Sequence, residues 1–199
     1  MKKILFLLVF TLIGFAIQAQ VRFGVKAGVN LTKFSGSDAG DNDFLLGYAG
    51  GGLVNYKLAD AVSLQGEVLY SLEGASSKDV EEGINVKTKA KLGYINIPVL
   101  AQYNHSSGFY AETGPQVGIL ASAKASMSAE GESYSYDMKD QLKKINFSWG
   151  IGAGYKLSNG LGIGARYNLG LTNIADNDSK VKVGGFHIGL SYTFGGNNE

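Results

Sequence analysis

The residues that could do chemistry in this chain are charged side chains set singly into apolar and glycine-rich stretches. Five of them are Lys26, Glu67, Glu112, Arg166 and His187. If these side chains share a narrow interior they must pair with one another, because burying an unpaired charge is expensive. We therefore expect a packed polar network. A path for protons or ions and a ligand cavity are the alternative interpretations.

Catalysis has little support in the sequence, which contains two His and no Cys. A Ser-His-Asp arrangement on exposed loops needs a His in those loops. The long polar segments identified below contain none, and His105 lies in a short connection. The absence of Cys excludes disulfides and thiolate metal sites. We therefore expect no enzymatic activity and no catalytic residue.

Acidic residues are grouped in two polar segments, with Asp38, Asp41 and Asp43 in one and Asp176 and Asp178 in the other. Their oxygens could bind Ca²⁺, but neither group has the spacing of a known calcium loop. Solvated loop acid is the better interpretation, so we expect no metal site and no cofactor. The formal net charge is +1, and no basic patch of the kind that tracks nucleic-acid phosphates is evident.

The first 19 residues predict a secretory signal peptide. Lys2 and Lys3 form a positive start, and an apolar run follows over residues 4–17. That run is too short for a comfortable membrane helix, and Ala19 marks the expected cleavage site. The mature domain is then residues 20–199.

Apolar residues alternate with glycine or polar residues along most of the mature chain. This period of two is typical of half-buried strands. Eight such segments are predicted: 23–31, 46–58, 62–73, 94–103, 109–119, 147–157, 161–171 and 185–194. The predicted short connections are 59–60, 104–108 and 158–160, and the predicted long polar loops are 35–43, 74–89, 123–143 and 173–182. Short turns at one end and long loops at the other predict an up-and-down antiparallel β-barrel of eight strands.

The apolar row of this barrel is predicted to face lipid. The other row is built largely of glycine with a few long polar side chains, which suits a narrow filled interior better than a wet surface. Aromatic residues cluster at both ends of the apolar row, as in the two girdles of a transmembrane barrel. A soluble, lipocalin-like, lipid-binding barrel is the alternative.

Two further features concern recognition and sorting. The longest predicted loop holds Tyr134 and Tyr136, whose exposure would suit recognition, although a plain solvated loop is the simpler interpretation. The last strand carries Gly189, Tyr192 and Phe194 behind His187, which resembles the C-terminal sorting signal of outer-membrane barrels.

Four motifs resemble a known family. They are Gly24-Val25-Lys26-Ala27-Gly28, Tyr94-Ile95-Asn96-Ile97-Pro98, Phe109-Tyr110-Ala111-Glu112-Thr113-Gly114-Pro115 and Arg166-Tyr167-Asn168-Leu169-Gly170-Leu171. Because of these four motifs, the chain resembles the PorT-like group of small outer-membrane β-barrel proteins, also described as the outer membrane protein beta-barrel domain. The resemblance implies a closed transmembrane barrel in a Gram-negative outer membrane, and some relatives are implicated in protein secretion or its assembly.

The expected function is that of a structural or interaction protein with a plugged polar lumen, which displays surface loops or docks a partner. A porin-like or secretion-associated transport role is the alternative. Expected partners are outer-membrane lipid, the barrel-assembly machinery and periplasmic chaperones during biogenesis, and a protein at the extracellular loops.

Overall fold

The computed structural model describes residues 20–81, 84–129 and 132–194. The predicted signal peptide, 1–19, lies outside the described residues. The described residues form nine strands: β1 (Val21–Ser35), β2 (Asp43–Ala59), β3 (Val62–Glu81), β4 (Ile84–Asn104), β5 (Phe109–Ala129), β6 (Glu132–Asp137), β7 (Ile145–Lys156), β8 (Leu161–Gly170) and β9 (Lys182–Thr193). A single 3₁₀ turn spans Lys139–Gln141. Among these described residues, no helix is long and apolar enough to cross a membrane.

Eight of the strands close into an antiparallel ring. Consecutive ring strands pair in chain order, and β1 pairs with both β2 and β9, so that the first and last strands meet. The strand β6 is not part of the ring, because it pairs with the upper end of β5 while β7 pairs with the lower end. The predicted eight-stranded barrel is therefore confirmed, with one additional strand at its long-loop end.

The alternation of side chains places the apolar row on the outside of the ring. Phe23 and Ile151 are each 63% exposed, whereas Glu67 and Arg166 on the other row are each 2% exposed. Outward aromatic residues lie near both ends of the strands, and two of the girdle pairs are in ring contact, Tyr48 with Tyr70 and Tyr167 with Phe186. An apolar outer band between two aromatic girdles is the surface of a transmembrane barrel.

Two of the predicted long loops are wrong. β3 and β4 continue through most of 74–89 as a hairpin, and β5 and β6 form a second hairpin within 123–143. These strands rise beyond the apolar band, so neither face contacts the hydrocarbon core of the membrane and the apolar alternation that reveals a membrane strand is absent. Polar composition was therefore a poor guide to where the strands end.

The two prolines disturb pairing without shifting it. At Pro98 the β3–β4 ladder omits the positions of Glu67 and Val68, and at Pro115 the β4–β5 ladder omits Val99 and Leu100. Because each proline lacks a ladder donor, the sequence predicts a bulge or a loosened seam between β4 and β5 at this height. The register is continuous past both prolines, and the irregularity between β4 and β5 lies higher, at Gly93 and Tyr94.

Candidate functional site

The middle of the lumen holds a cluster of four charged side chains from four strands, here called the ion cluster: Lys26, Glu67, Glu112 and Arg166. Lys26 Nζ lies 3.1 Å from Glu67 Oε1. Arg166 donates from Nη2 and Nη1 to the two carboxylate oxygens of Glu67, at 2.8 and 3.1 Å, and from Nε to Glu112 Oε1 at 2.7 Å. All four are buried, and two positive charges face two negative ones.

Glycines on neighbouring strands make room for the ion cluster. A Cβ atom at Gly150 would lie 3.0 Å from Arg166 Cδ, and one at Gly152 would lie 2.6 Å from the carbonyl oxygen of Ala165. Gly150 and Gly152 therefore leave the space in which the Arg166 side chain crosses the lumen to Glu67. An eight-stranded barrel has an interior just wide enough for side chains, so small and large residues must alternate around it.

Amides complete the hydrogen bonding of both carboxylates on the short-turn side. Gln65 Nε2 donates to Glu67 Oε1 at 2.7 Å, and Gln102 Nε2 donates to Glu112 Oε2 at 2.9 Å. Lys156 Nζ in turn donates to Gln102 Oε1 at 2.8 Å. Below this layer, a pocket of about 250 Å³ opens to the short-turn end of the barrel. The two-residue period of β3 and β4 predicts that these amides face inward, but the sequence does not predict their partners.

His187 is buried beside the ion cluster but bonds elsewhere. Its ring Nδ1 lies 2.9 Å from Asn30 Oδ1. Asn30 uses its Nδ2 to donate to the carbonyl oxygens of Tyr48 and Leu72, so its Oδ1 is the acceptor and His187 Nδ1 carries the proton. The predicted set thus divides into four residues that meet and one that supports the β1–β9 seam.

Above the ion cluster the lumen is closed by apolar side chains, here called the apolar cap. Its members are Leu92, Tyr94, Leu120, Ala123, Leu142, Ile174 and Val183. Leu142 and Ile174 come from segments predicted to be polar loops. Backbone bonds hold these two segments together, since the N–H of Lys143 donates to the carbonyl oxygen of Ile174 at 2.8 Å and Leu142 bridges to Ala175. Isolated apolar residues in polar segments were the available signal for this cap.

The upper parts of β3, β4 and β5, together with β6, form a sheet that projects beyond the ring, here called the extracellular sheet. Tyr134 and Tyr136 lie on β6, not in a loop, and they are 72% and 59% exposed. They share one face with Met127, which is the register partner of Tyr134. Within the described residues β6 pairs only with β5, so its other edge is free.

The predicted sorting-signal residues lie on β9, which closes the ring. Tyr192 and Phe194 point outward at the short-turn end, and their rings meet edge to face with centroids 5.6 Å apart. Gly189 is buried opposite Gly28 and Gly164. Residues 195–199 lie outside the described part of the chain.

Comparison with known proteins identifies relatives of this barrel. A family profile described as "Outer membrane protein beta-barrel domain" matches residues 17–176. The virulence membrane protein PagC of Salmonella typhimurium is 30% identical over 129 residues, which are 63% of this chain and 64% of PagC. The matched region thus spans just under two thirds of that relative's length.

A solved structure shows the same fold. The crystal structure of Ail, the attachment invasion locus protein of Yersinia pestis, in complex with the heparin analogue sucrose octasulfate, has a TM-score of 0.52 at 15% identity, over 88% of this chain and 99% of Ail. The crystal structure of Neisserial surface protein A has a TM-score of 0.49 at 16% identity, over 86% of this chain and 97% of that one. At these identities the likeness concerns the fold alone.

Proposed function

Because the chain belongs to the family of the outer membrane protein beta-barrel domain, and is thus an integral protein of the Gram-negative outer membrane, we propose that it acts there as a plugged barrel displaying a binding sheet at the cell surface. The observation that carries this proposal is that two layers of side chains fill the lumen, whereas the extracellular sheet is exposed. The ion cluster and the apolar cap fill the interior, whereas the extracellular sheet presents exposed aromatic side chains and a free edge.

Such a sheet is suited to protein recognition. Exposed tyrosines offer large contact area at low entropic cost. An unpaired strand edge offers backbone donors and acceptors to an added strand, which gives affinity, while neighbouring side chains give selectivity. That PagC is named a virulence membrane protein agrees with an interaction at the cell surface. A catalytic role is not part of this proposal, and the narrower PorT-like grouping and the biogenesis partners stay predictions.

The closed lumen predicts that the purified mature protein shows no stable channel in planar bilayers, because side chains occupy the whole cross-section of an eight-stranded barrel. The orientation is checked separately on intact cells, since the sequence has no Cys and any introduced thiol is unique. Tyr134→Cys should react with an impermeant maleimide on intact cells, and Ser106→Cys, in the turn between β4 and β5, should not. Large steady conductance, or the reverse labelling pattern, would contradict the proposal.

Attachment is the second expected result. Cells that express the protein should bind better than non-expressing cells to at least one surface in a panel coated with purified extracellular proteins. The double change Tyr134→Ser/Tyr136→Ser should abolish that gain, because both side chains lie on the exposed aromatic face of β6. The matched control is Ser133→Ala/Ser135→Ala, on the opposite face of the same strand. Equal attachment by all strains on every surface would refute the recognition role.

A further inference from the structure

The outward face of the extracellular sheet carries five lysines, here called the lysine face. They are Lys78 on β3, Lys87, Lys89 and Lys91 on β4, and Lys124 on β5. Cross-strand register places Lys78 opposite Lys87, and Lys91 opposite Lys124. Lys87, Lys89 and Lys91 alternate along β4, but the full face forms only when Lys78 on β3 and Lys124 on β5 are paired beside them. The expectation that there is no basic patch is therefore wrong for the folded chain.

The lysine face is a direct continuation of the lipid-facing band. Along β4 the outward row runs from Ile97 and Ile95 through Gly93 to Lys91, and then to Lys89 and Lys87. The side chain of Tyr70, a member of the upper aromatic girdle, reaches over Gly93, where a Cβ atom would lie 2.7 Å from its hydroxyl oxygen. Lys91 therefore lies two residues beyond the girdle, roughly 7 Å along the strand.

The charge on this face is not compensated within the described part of the chain. Like charges directly opposite one another destabilise a sheet, and two such pairs occur here. The acidic residues at its margins are Asp137, opposite Lys124, and Asp43, opposite Ser76. Among the side chains that the structure describes, neither is within ion-pair distance of a lysine, and the five lysines of this face outnumber these two carboxylates. Hydroxyl groups of Ser126 and Ser135, which are paired in register beside Lys89, add neutral donors.

We propose that the lysine face binds the phosphate groups of the glycolipid in the outer leaflet of the outer membrane. The row of ammonium groups begins just above the aromatic girdle. At this height the acyl region of the surrounding lipids ends and their head groups begin. Each lysine near an anionic lipid surface strengthens binding by about fivefold. The two faces of the extracellular sheet then have separate roles, with lipid phosphate on one and a protein partner on the other, so this inference stands apart from the recognition role.

The test compares lipid binding by the folded mature protein and two triple variants. Native mass spectrometry of detergent-solubilised protein would measure the affinity for bisphosphorylated lipid A and for enzymatically dephosphorylated lipid A. The wild type should prefer the phosphorylated form by about tenfold or more. Lys87→Gln/Lys89→Gln/Lys91→Gln should lose that preference, while Lys139→Gln/Lys143→Gln/Lys180→Gln, which removes the same charge from other segments, should keep it.

Heat-modifiable gel mobility would establish that each variant is folded, and the single change Lys91→Gln, expected to weaken binding by about fivefold, serves if the triple variant does not assemble. Equal affinity of wild type and triple variant for phosphorylated lipid A would overturn the inference. So would a wild type that does not distinguish the two lipids. Loss of heparin binding by the triple variant with unchanged lipid binding would assign the face to a soluble polyanion and would equally overturn it.

Discussion

Replacing Glu67 by glutamine is expected to destabilise the assembled barrel by about 3–5 kcal/mol, the typical cost of removing one partner from a buried ion pair. Glu67 accepts hydrogen bonds from Lys26 and Arg166 with a carboxylate that is fully shielded from solvent. The amide keeps the shape but not the charge, so two buried cations would share the single carboxylate of Glu112. Urea unfolding in lipid vesicles, followed by the fluorescence of Trp149, would measure the difference.

Glu73→Gln is the matched control for this change. Glu73 also lies inward on β3 and is buried, but the hydrogen bond that it accepts comes from Asn96 Nδ2, at 2.6 Å, and no ion pair involves it among the described residues. Its replacement should therefore cost clearly less. Adding Lys26→Met to Glu67→Gln restores the balance of one cation to one carboxylate and should recover part of the loss. A cost for Glu67→Gln no greater than that for Glu73→Gln would show that the ion cluster contributes no specific stability.

The membership of the ion cluster could be predicted from the sequence, but its contacts could not. The two-residue period of each strand decides which side chains face inward, and it placed Lys26, Glu67, Glu112 and Arg166 on one row. Which of them meet depends on the stagger between strands that are not adjacent, since Arg166 on β8 reaches Glu67 on β3 across the lumen. That stagger is a property of the closed ring and has no local signal. His187 illustrates the limit, because it shares the row and bonds to Asn30.

The extracellular sheet was beyond prediction for a different reason. A strand in the membrane is visible because lipid on one side and the lumen on the other impose alternation on its residues. Above the membrane neither side of β3 and β4 contacts the hydrocarbon core, and residues such as Thr88 and Lys89 carry no contrast in polarity. The sequence therefore predicted loops where the chain is paired, and it concealed both the strand that holds Tyr134 and the lysine face.

Placing a charge on the middle of the lipid-facing band should produce the second large effect. Ile151 lies on β7 halfway between Tyr155 of the lower girdle and Phe147 of the upper one, and it is 63% exposed on the outer surface. Ile151→Arg is expected to cost about 2–4 kcal/mol, because a guanidinium at the bilayer midplane loses its hydration. The same unfolding assay in vesicles would measure this cost.

The depth of the substituted residue in the bilayer distinguishes this effect from a general disruption of the fold. Leu161→Arg, also outward but opposite Tyr192 at the lower girdle, should cost only about 0–1 kcal/mol, since the side chain can reach the interface. Gly152→Arg, one residue from Ile151 but turned inward, should fail for another reason: its Cβ atom alone would press against the backbone of β8 next to Arg166. Ile151→Arg and Leu161→Arg should both assemble in detergent, where no bilayer thickness distinguishes them, and differ only after reconstitution. Equal costs at the two positions in vesicles, or ready labelling of Ile151→Cys by a water-soluble reagent, would mean that the outer surface of the ring does not face the bilayer core.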